Sequence, residues 1–332
     1  MELQFINLIF EHQTKISEMN FIQQGFKGRT EWYWYVITIF VVFFFWQIIG
    51  VIPLSVAAFS KVENFNQFIM AAEDAFASVG LDSNLYLILA LLTLIMGLVG
   101  LLLSVKFIHN RKLTSVVTSR DKIDWKRVFY GFSLWFSVSV VLIVVGIIFE
   151  PENLIWNFKP IPFLILVLIS LLLIPLQTTF EELLLRGYLM QGLGVLAKNR
   201  WVPLIFTSLI FGLLHGANPE VDKLGPGIMI FYIGTGLFFA ITTLVDEGTE
   251  LAIGMHAANN IAAALFVTAD WTAIRTEALY IDTSEPSLDM DTLLPVFVLY
   301  PIILLIFSKK YGWTNWSEKL FGKIDEPQIT DQ

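Results

Sequence analysis

Long apolar runs alternate along this chain with short polar connections, and most of the runs are too long for the elements of a soluble core. A helix needs about 20 apolar residues to cross the hydrocarbon part of a bilayer. Runs approaching or exceeding that length occupy 32–59, 85–108, 128–149, 161–180, 201–215, 228–245, 251–268 and 293–307. The pattern predicts an all-α fold, a polytopic membrane bundle of about eight transmembrane helices. Two runs are unusual: the fifth is short and the seventh contains His and Asn. Irregular or polar stretches at membrane depth are tolerated where protein or water covers them, so these two are expected to line a cavity.

Composition supports the same reading. Of 332 residues, 56 % are hydrophobic and 15 % charged, against roughly a quarter charged in a soluble domain. The even spread of apolar runs argues for one bundle rather than two soluble domains. Segments at 1–31 (N-terminal, with an interfacial helix allowed), 32–159 (helices one to three), 160–308 (the part carrying the polar motifs) and 309–332 (tail) divide it. The connections differ sharply in Lys and Arg: alternating the spans puts 17 of the 21 on the side of both termini and 4 on the other. Such residues are enriched in cytoplasmic connections, so both termini are expected in the cytoplasm.

Several classes of function are disfavoured by what is missing. A net charge of -8 with no basic stripe argues against nucleic acid as a partner. The absence of cysteine excludes disulfides, thiolate metal sites and a cysteine nucleophile. The start, Met1-Glu2-Leu3-Gln4, has no basic region of a secretory leader, so no segment is expected to be removed. Stretches 1–30 and 62–80 mix Phe, Ile and Met with charges and fit interfacial helices or solvated connectors equally well. An acidic loop is expected at 283–291 and a disordered polar tail after Gly322.

Chemistry is carried by ionisable residues at membrane depth, each expensive there and hence a functional candidate. After the fourth run comes Phe180-Glu181-Glu182-Leu183-Leu184-Leu185-Arg186, and the apolar pattern continues to Ala197. Helical neighbours differ in direction by about 100° while residues four apart share a face. Glu182 can therefore pair with Arg186, leaving Glu181 to face a cavity; a solvated helix beyond a membrane exit is the plain alternative. The fifth run ends in Phe211-Gly212-Leu213-Leu214-His215, and His215 follows Lys198 by the same 17 residues by which Glu181 precedes it. A turn at Lys198 would bring the two level. His256 and Asn260 in the seventh run stand one turn apart, although an interhelical hydrogen bond would account for them too.

In order, Glu-Glu-x-x-x-Arg, Phe-x-x-x-His and His-x-x-x-Asn, each on its own apolar helix, resemble the CAAX-processing and bacteriocin-processing (CPBP or Abi) family of Rce-like intramembrane glutamic proteases. The likeness runs from about Gln177 to Val267. It implies a CAAX prenyl protease-like peptidase acting on a membrane-associated or lipidated peptide or protein, with lipid as its surroundings, in the plasma membrane of a bacterium. Glu181 would activate water with help from His215, while His256 and Asn260 would form an oxyanion hole. Glu182, Arg186 and Phe211 would support the site structurally. No cofactor is expected; zinc held by Glu181, Glu182, His215 and His256 is the alternative, although His-Glu-x-x-His is absent. A proton-coupled transporter, or a non-catalytic immunity or binding protein of the same fold, are the competing functions. A transporter would usually show symmetry between its halves, and here the polar residues gather in the C-terminal half.

Overall fold

The computed structural model describes residues 19–327 except 274 and 289. All eight apolar runs are helical: α1 (Trp32–Phe59), α2 (Ser83–Ile108), α3 (Trp125–Phe149), α4 (Pro160–Ala197), α5 (Trp201–Leu214), α6 (Pro226–Asp246), α7 (Glu250–Phe266) and α8 (Thr292–Tyr311). Six of them are long and apolar enough to cross a membrane by length and composition; α5 and α7 are not among these. The protein is therefore a polytopic helical membrane protein. At 14 residues, α5 reaches roughly 21 Å, short of the approximately 30 Å hydrocarbon core. Exposed Phe40, Phe129, Ile161 and Leu168 give the bundle its lipid-facing surface.

The fourth run extends well beyond Phe180. A turn at Leu173 precedes Pro175, whose missing N–H interrupts the ladder, and the helix then continues to Ala197. Lys198 closes it in the left-handed conformation, with φ of 54°, and α5 starts three residues later. The seventh run is helical only to Phe266; Val267 and Thr268 leave it as a strand.

One end of the bundle is tied by charge. Arg120 meets Asp246 at 3.1 Å and Glu250 at 3.3 Å, Arg127 meets Asp246 at 3.0 Å, and Trp313 Nε1 donates to Asp246 at 3.0 Å. These contacts join the start of α3 to the α6–α7 turn. Beside them, Glu247 accepts from Arg200 at 3.3 Å and from the backbone N–H of Phe21 at 2.6 Å. The tail is docked at the same end, contrary to the disorder expected after Gly322. Ile324 is buried, and its N–H donates to the Lys198 carbonyl at 3.0 Å. Residues 328–332 and 1–18 lie outside the described residues; the described part of the expected N-terminal interfacial stretch holds only the short helix Gln23–Phe26, with Phe21 and Ile22 buried in the bundle.

The opposite end carries a feature the all-α reading did not include. Strands β1 (Leu154–Trp156), β2 (Val267–Thr268) and β3 (Tyr280–Asp282) form a small sheet in the order β1-β3-β2, antiparallel between β1 and β3 and parallel between β2 and β3. At this end a short helix, Phe65–Ala72, is capped by Asn64, whose side chain accepts from the Gln67 N–H at 3.0 Å. Its exposed Phe65, Ile69 and Met70 suit an interfacial position. The acidic stretch at 283–291 is loop up to 288 and enters a helix at Met290.

Helix α7 lies close against α3 because both present glycine. A Cβ on Gly131 would collide with the Leu251 carbonyl, and one on Gly254 with the Val128 carbonyl. Small residues permit such backbone approach in membrane bundles, where packing rather than the hydrophobic effect joins helices. Gly254→Leu is thus expected to lower the unfolding midpoint in detergent, followed by tryptophan fluorescence. Asp246→Ala, which leaves two arginines without their shared carboxylate, is expected to cost about 3 kcal/mol or more in the same assay. An unchanged midpoint in either variant would contradict the packing or charge argument behind it.

Candidate active site within the bundle

The glutamate pair on α4 is split by helix geometry. Just past Glu182 the helix widens into a π-helical turn over Leu183–Leu189, a distortion frequent at functional sites. Glu182 is wholly buried, and its Oε1 accepts from Arg186 Nη1 at 3.1 Å and from His256 Nδ1 at 2.8 Å. Arg186, also wholly buried, donates through Nη2 to the Gly236 carbonyl on α6 at 3.2 Å. Its guanidinium lies over the Phe211 ring at 4.3 Å and 5.5 Å from the centre of Phe239. A buried cation thereby finds a carboxylate, a carbonyl and two aromatic faces, the combination needed to offset its loss of water.

Glu181 points the other way and retains 20 % of its side-chain exposure. Its Oε1 accepts from Gln177 Nε2, one turn earlier on α4. His256 stands between the carboxylates: Nδ1 bonds Glu182, while Nε2 is 3.7 Å from Glu181 Oε2. The imidazole is stacked on Phe239, with centroids 5.2 Å apart and planes at 25°. Because the Glu182 carboxylate accepts at Nδ1, His256 can donate toward the cavity at Nε2 only when its ring is doubly protonated.

Asn260 is held by a chain of amides. Its Nδ2 donates to Gln177 Oε1 at 3.2 Å; its Oδ1 accepts from Asn259 Nδ2 at 3.1 Å; Asn259 Oδ1 accepts from Trp135 Nε1 on α3 at 3.2 Å. One Nδ2 hydrogen of Asn260 is left over from this chain. At the end of α5, His215 Nδ1 lies 2.7 Å from the Phe211 carbonyl. A carbonyl can only accept, so Nδ1 carries the hydrogen and the neutral ring has a bare lone pair at Nε2. Tyr232 stacks on this ring at 4.8 Å and 26°, fixing its plane.

Glu181, His215, His256 and Asn260 all line one cavity of about 530 Å³. Glu181 and His215 make no direct hydrogen bond across it, whereas Glu182 and Arg186 lie behind its wall and Phe211 packs against both histidines. Among the described residues, no group of three or more His, Asp or Glu side chains is arranged to hold a metal ion. In the four-residue zinc set, Glu182 Oε1 and His256 Nδ1 are already committed to each other. Gln177, Asn259, Trp135 and Tyr232 belong to the site although the three motifs do not mark them. Gln177 did carry a signal, a polar residue one turn from Glu181 in an apolar run; Trp135 is one aromatic among many and carried none.

Residues 160–262 match a family model described as Type II CAAX prenyl endopeptidase Rce1-like. That stretch starts with α4 and includes Glu181, His215, His256 and Asn260, so the resemblance carried by the three motifs holds over it. The chain is also 34 % identical over 173 residues to the uncharacterised protein YyaK of Bacillus subtilis (strain 168), in an alignment covering 51 % of this chain and 57 % of that one. The chain thus spans a little over half the length of the curated relative it matches. No solved structure matches it.

The buried pair sets a direct test. Arg186→Leu leaves Glu182 beside His256 without its cation and is expected to cost about 3 kcal/mol or more, whereas adding Glu182→Leu restores part of that loss. Thermal unfolding of the two variants in detergent measures both. A double variant no more stable than Arg186→Leu would count against the pair as the origin of the effect.

Proposed function

Given that residues 160–262 form an Rce1-like segment, we propose that this protein is an intramembrane endopeptidase of a bacterial plasma membrane. It hydrolyses a peptide bond of a membrane-associated or lipidated peptide or protein. The observation that carries the reading is the meeting of Glu181, His215, His256 and Asn260 on one cavity inside an apolar bundle. A water between the Glu181 carboxylate and the bare Nε2 of His215 gives its proton to Glu181 as its oxygen attacks the carbonyl carbon. The resulting oxyanion accepts hydrogen bonds from the protonated Nε2 of His256 and the spare Nδ2 hydrogen of Asn260. On collapse the C–N bond breaks, and the proton held by Glu181 passes to the departing amine. Gln177 keeps Glu181 turned into the cavity, and the Trp135–Asn259–Asn260 chain keeps the amide aimed. Donors fixed in advance toward developing charge are what such a site needs.

Transport of protons would require a polar route through the bundle. Buried Phe180, Leu185 and Phe211 instead stand among the residues that line the cavity, and the charged groups that tie one end of the bundle do not, which favours hydrolysis over relay. No metal is needed for any step above.

Glu181→Gln is expected to abolish cleavage of a peptide substrate by purified enzyme while leaving its detergent unfolding midpoint unchanged. Asn260→Ala is expected to lower kcat by a factor on the order of 100, equivalent to about 3 kcal/mol, with little change in KM. A chelator is expected to leave the rate unaffected. Full cleavage by folded Glu181→Gln would refute the mechanism, and a loss restored by added zinc would support the metal alternative.

A further inference from the structure

The cavity has a direction. Its lining includes the first turns of α2 from Tyr86, the end of α5 at His215, α6 from Phe231 to Phe239 and α7 from His256 to its end. All of these approach the end of the bundle that carries the small sheet. Asn218, Glu220 and Arg275, from the loops at that end, also line it. The opposite end is closed: the Arg120–Asp246–Arg127 cluster, the Arg200–Glu247 pair and the docked Ile324 occupy it, and none of them lines the cavity.

Charge fixes which end is which. At the cavity end the Lys and Arg residues are Lys61, Lys159, Lys223 and Arg275; Arg186 is buried in α4, and the other described ones lie at the closed end or in the segments packed on it. This asymmetry is the one by which membrane proteins are oriented, with Lys and Arg retained in cytoplasmic connections. The closed end is then cytoplasmic, and the cavity mouth is on the other face.

We infer that the site opens at the extracytoplasmic face and takes an apolar peptide segment presented at the outer leaflet, such as part of a translocated peptide, rather than a lipidated tail reaching it from the cytoplasm. The peptide part of this inference rests on the endopeptidase reading; the sidedness does not. Apolar selectivity follows from walls built of Trp46, Tyr86, Phe231, Phe238 and Tyr300. Besides Glu181, His256 and Asn260 within the cavity, polar groups stand at its mouth, where the Glu220 side chain is pinned by the Ala273 N–H at 2.9 Å and Arg275 is exposed. A segment with an apolar centre and polar flanks matches that distribution.

The chain has no cysteine, so one introduced thiol reports sidedness without background. Lys223 at the cavity end and Lys122 at the closed end are both exposed. In intact cells, a membrane-impermeant maleimide is expected to label Lys223→Cys and to label Lys122→Cys only after permeabilisation. The reverse pattern overturns the inference. In a second arm, a membrane-impermeant quenched peptide with an apolar centre and charged ends is added outside intact cells. Cleavage by the wild type, lost in Glu181→Gln, is the expected result. Cleavage by detergent-solubilised enzyme but not by intact cells overturns the outer-face substrate and leaves the endopeptidase reading in place. Cleavage in neither preparation, with the labelling as expected, overturns the endopeptidase reading and leaves the sidedness in place.

Discussion

Burial of Arg186 is the constraint on which the rest of the site depends. A guanidinium cannot lose its charge in a protein, and an isolated ion in a low-dielectric bundle costs many kcal/mol. The chain must therefore bring compensation to it, and it does so from four helices. Glu182 comes from α4 itself, Phe211 from α5, the Gly236 carbonyl and Phe239 from α6, and His256 from α7 through the shared carboxylate. Once these contacts are made, the relative positions of the three motif helices are no longer free. Helical geometry then decides the remaining carboxylate: with Glu182 committed inward, Glu181 is turned by about 100° into the cavity.

Two carboxylates adjacent in sequence thus differ in surroundings because the helix separates them and the arginine selects one. Glu181 keeps some solvent and a neutral amide partner in Gln177; Glu182 has neither solvent nor freedom. His256 bridges the two environments, with one nitrogen in the structural pair and the other at the cavity. This coupling means that a change meant to affect stability at Glu182 also moves a cavity-facing donor. Stability and site geometry cannot be adjusted independently here.

Much of the architecture was legible because apolar periodicity and span length depend on local sequence alone. Eight runs became eight helices, and equal spacing about Lys198 put Glu181 and His215 on one cavity. What escaped depends on contacts between distant segments. Ile324 is one of two isoleucines in a polar tail, and nothing local says that it docks beside Lys198. The strands 154–156, 267–268 and 280–282 are two or three residues each, too short for alternation to show. Trp135 acquires its role only through Asn259, 124 residues away, and lies outside the segment that resembles the family. The Glu182–Arg186 pair, by contrast, is separated by one turn and could be read directly.

The shortness of α5 has a consequence for the lipid around it. Trp201, Ile205, Leu209 and Leu213 form one exposed face of this helix, and past Leu214 the chain turns into the polar segment holding Asn218 and Glu220. Lipid beside α5 therefore meets an apolar wall roughly 21 Å tall, against approximately 30 Å of hydrocarbon in an unperturbed bilayer. The membrane must thin locally to avoid leaving acyl chains against polar backbone, at a cost of a fraction of a kcal/mol per Å of mismatch. Acyl-chain length in the host membrane thereby becomes a parameter of this protein, setting how far water and headgroups reach down toward His215.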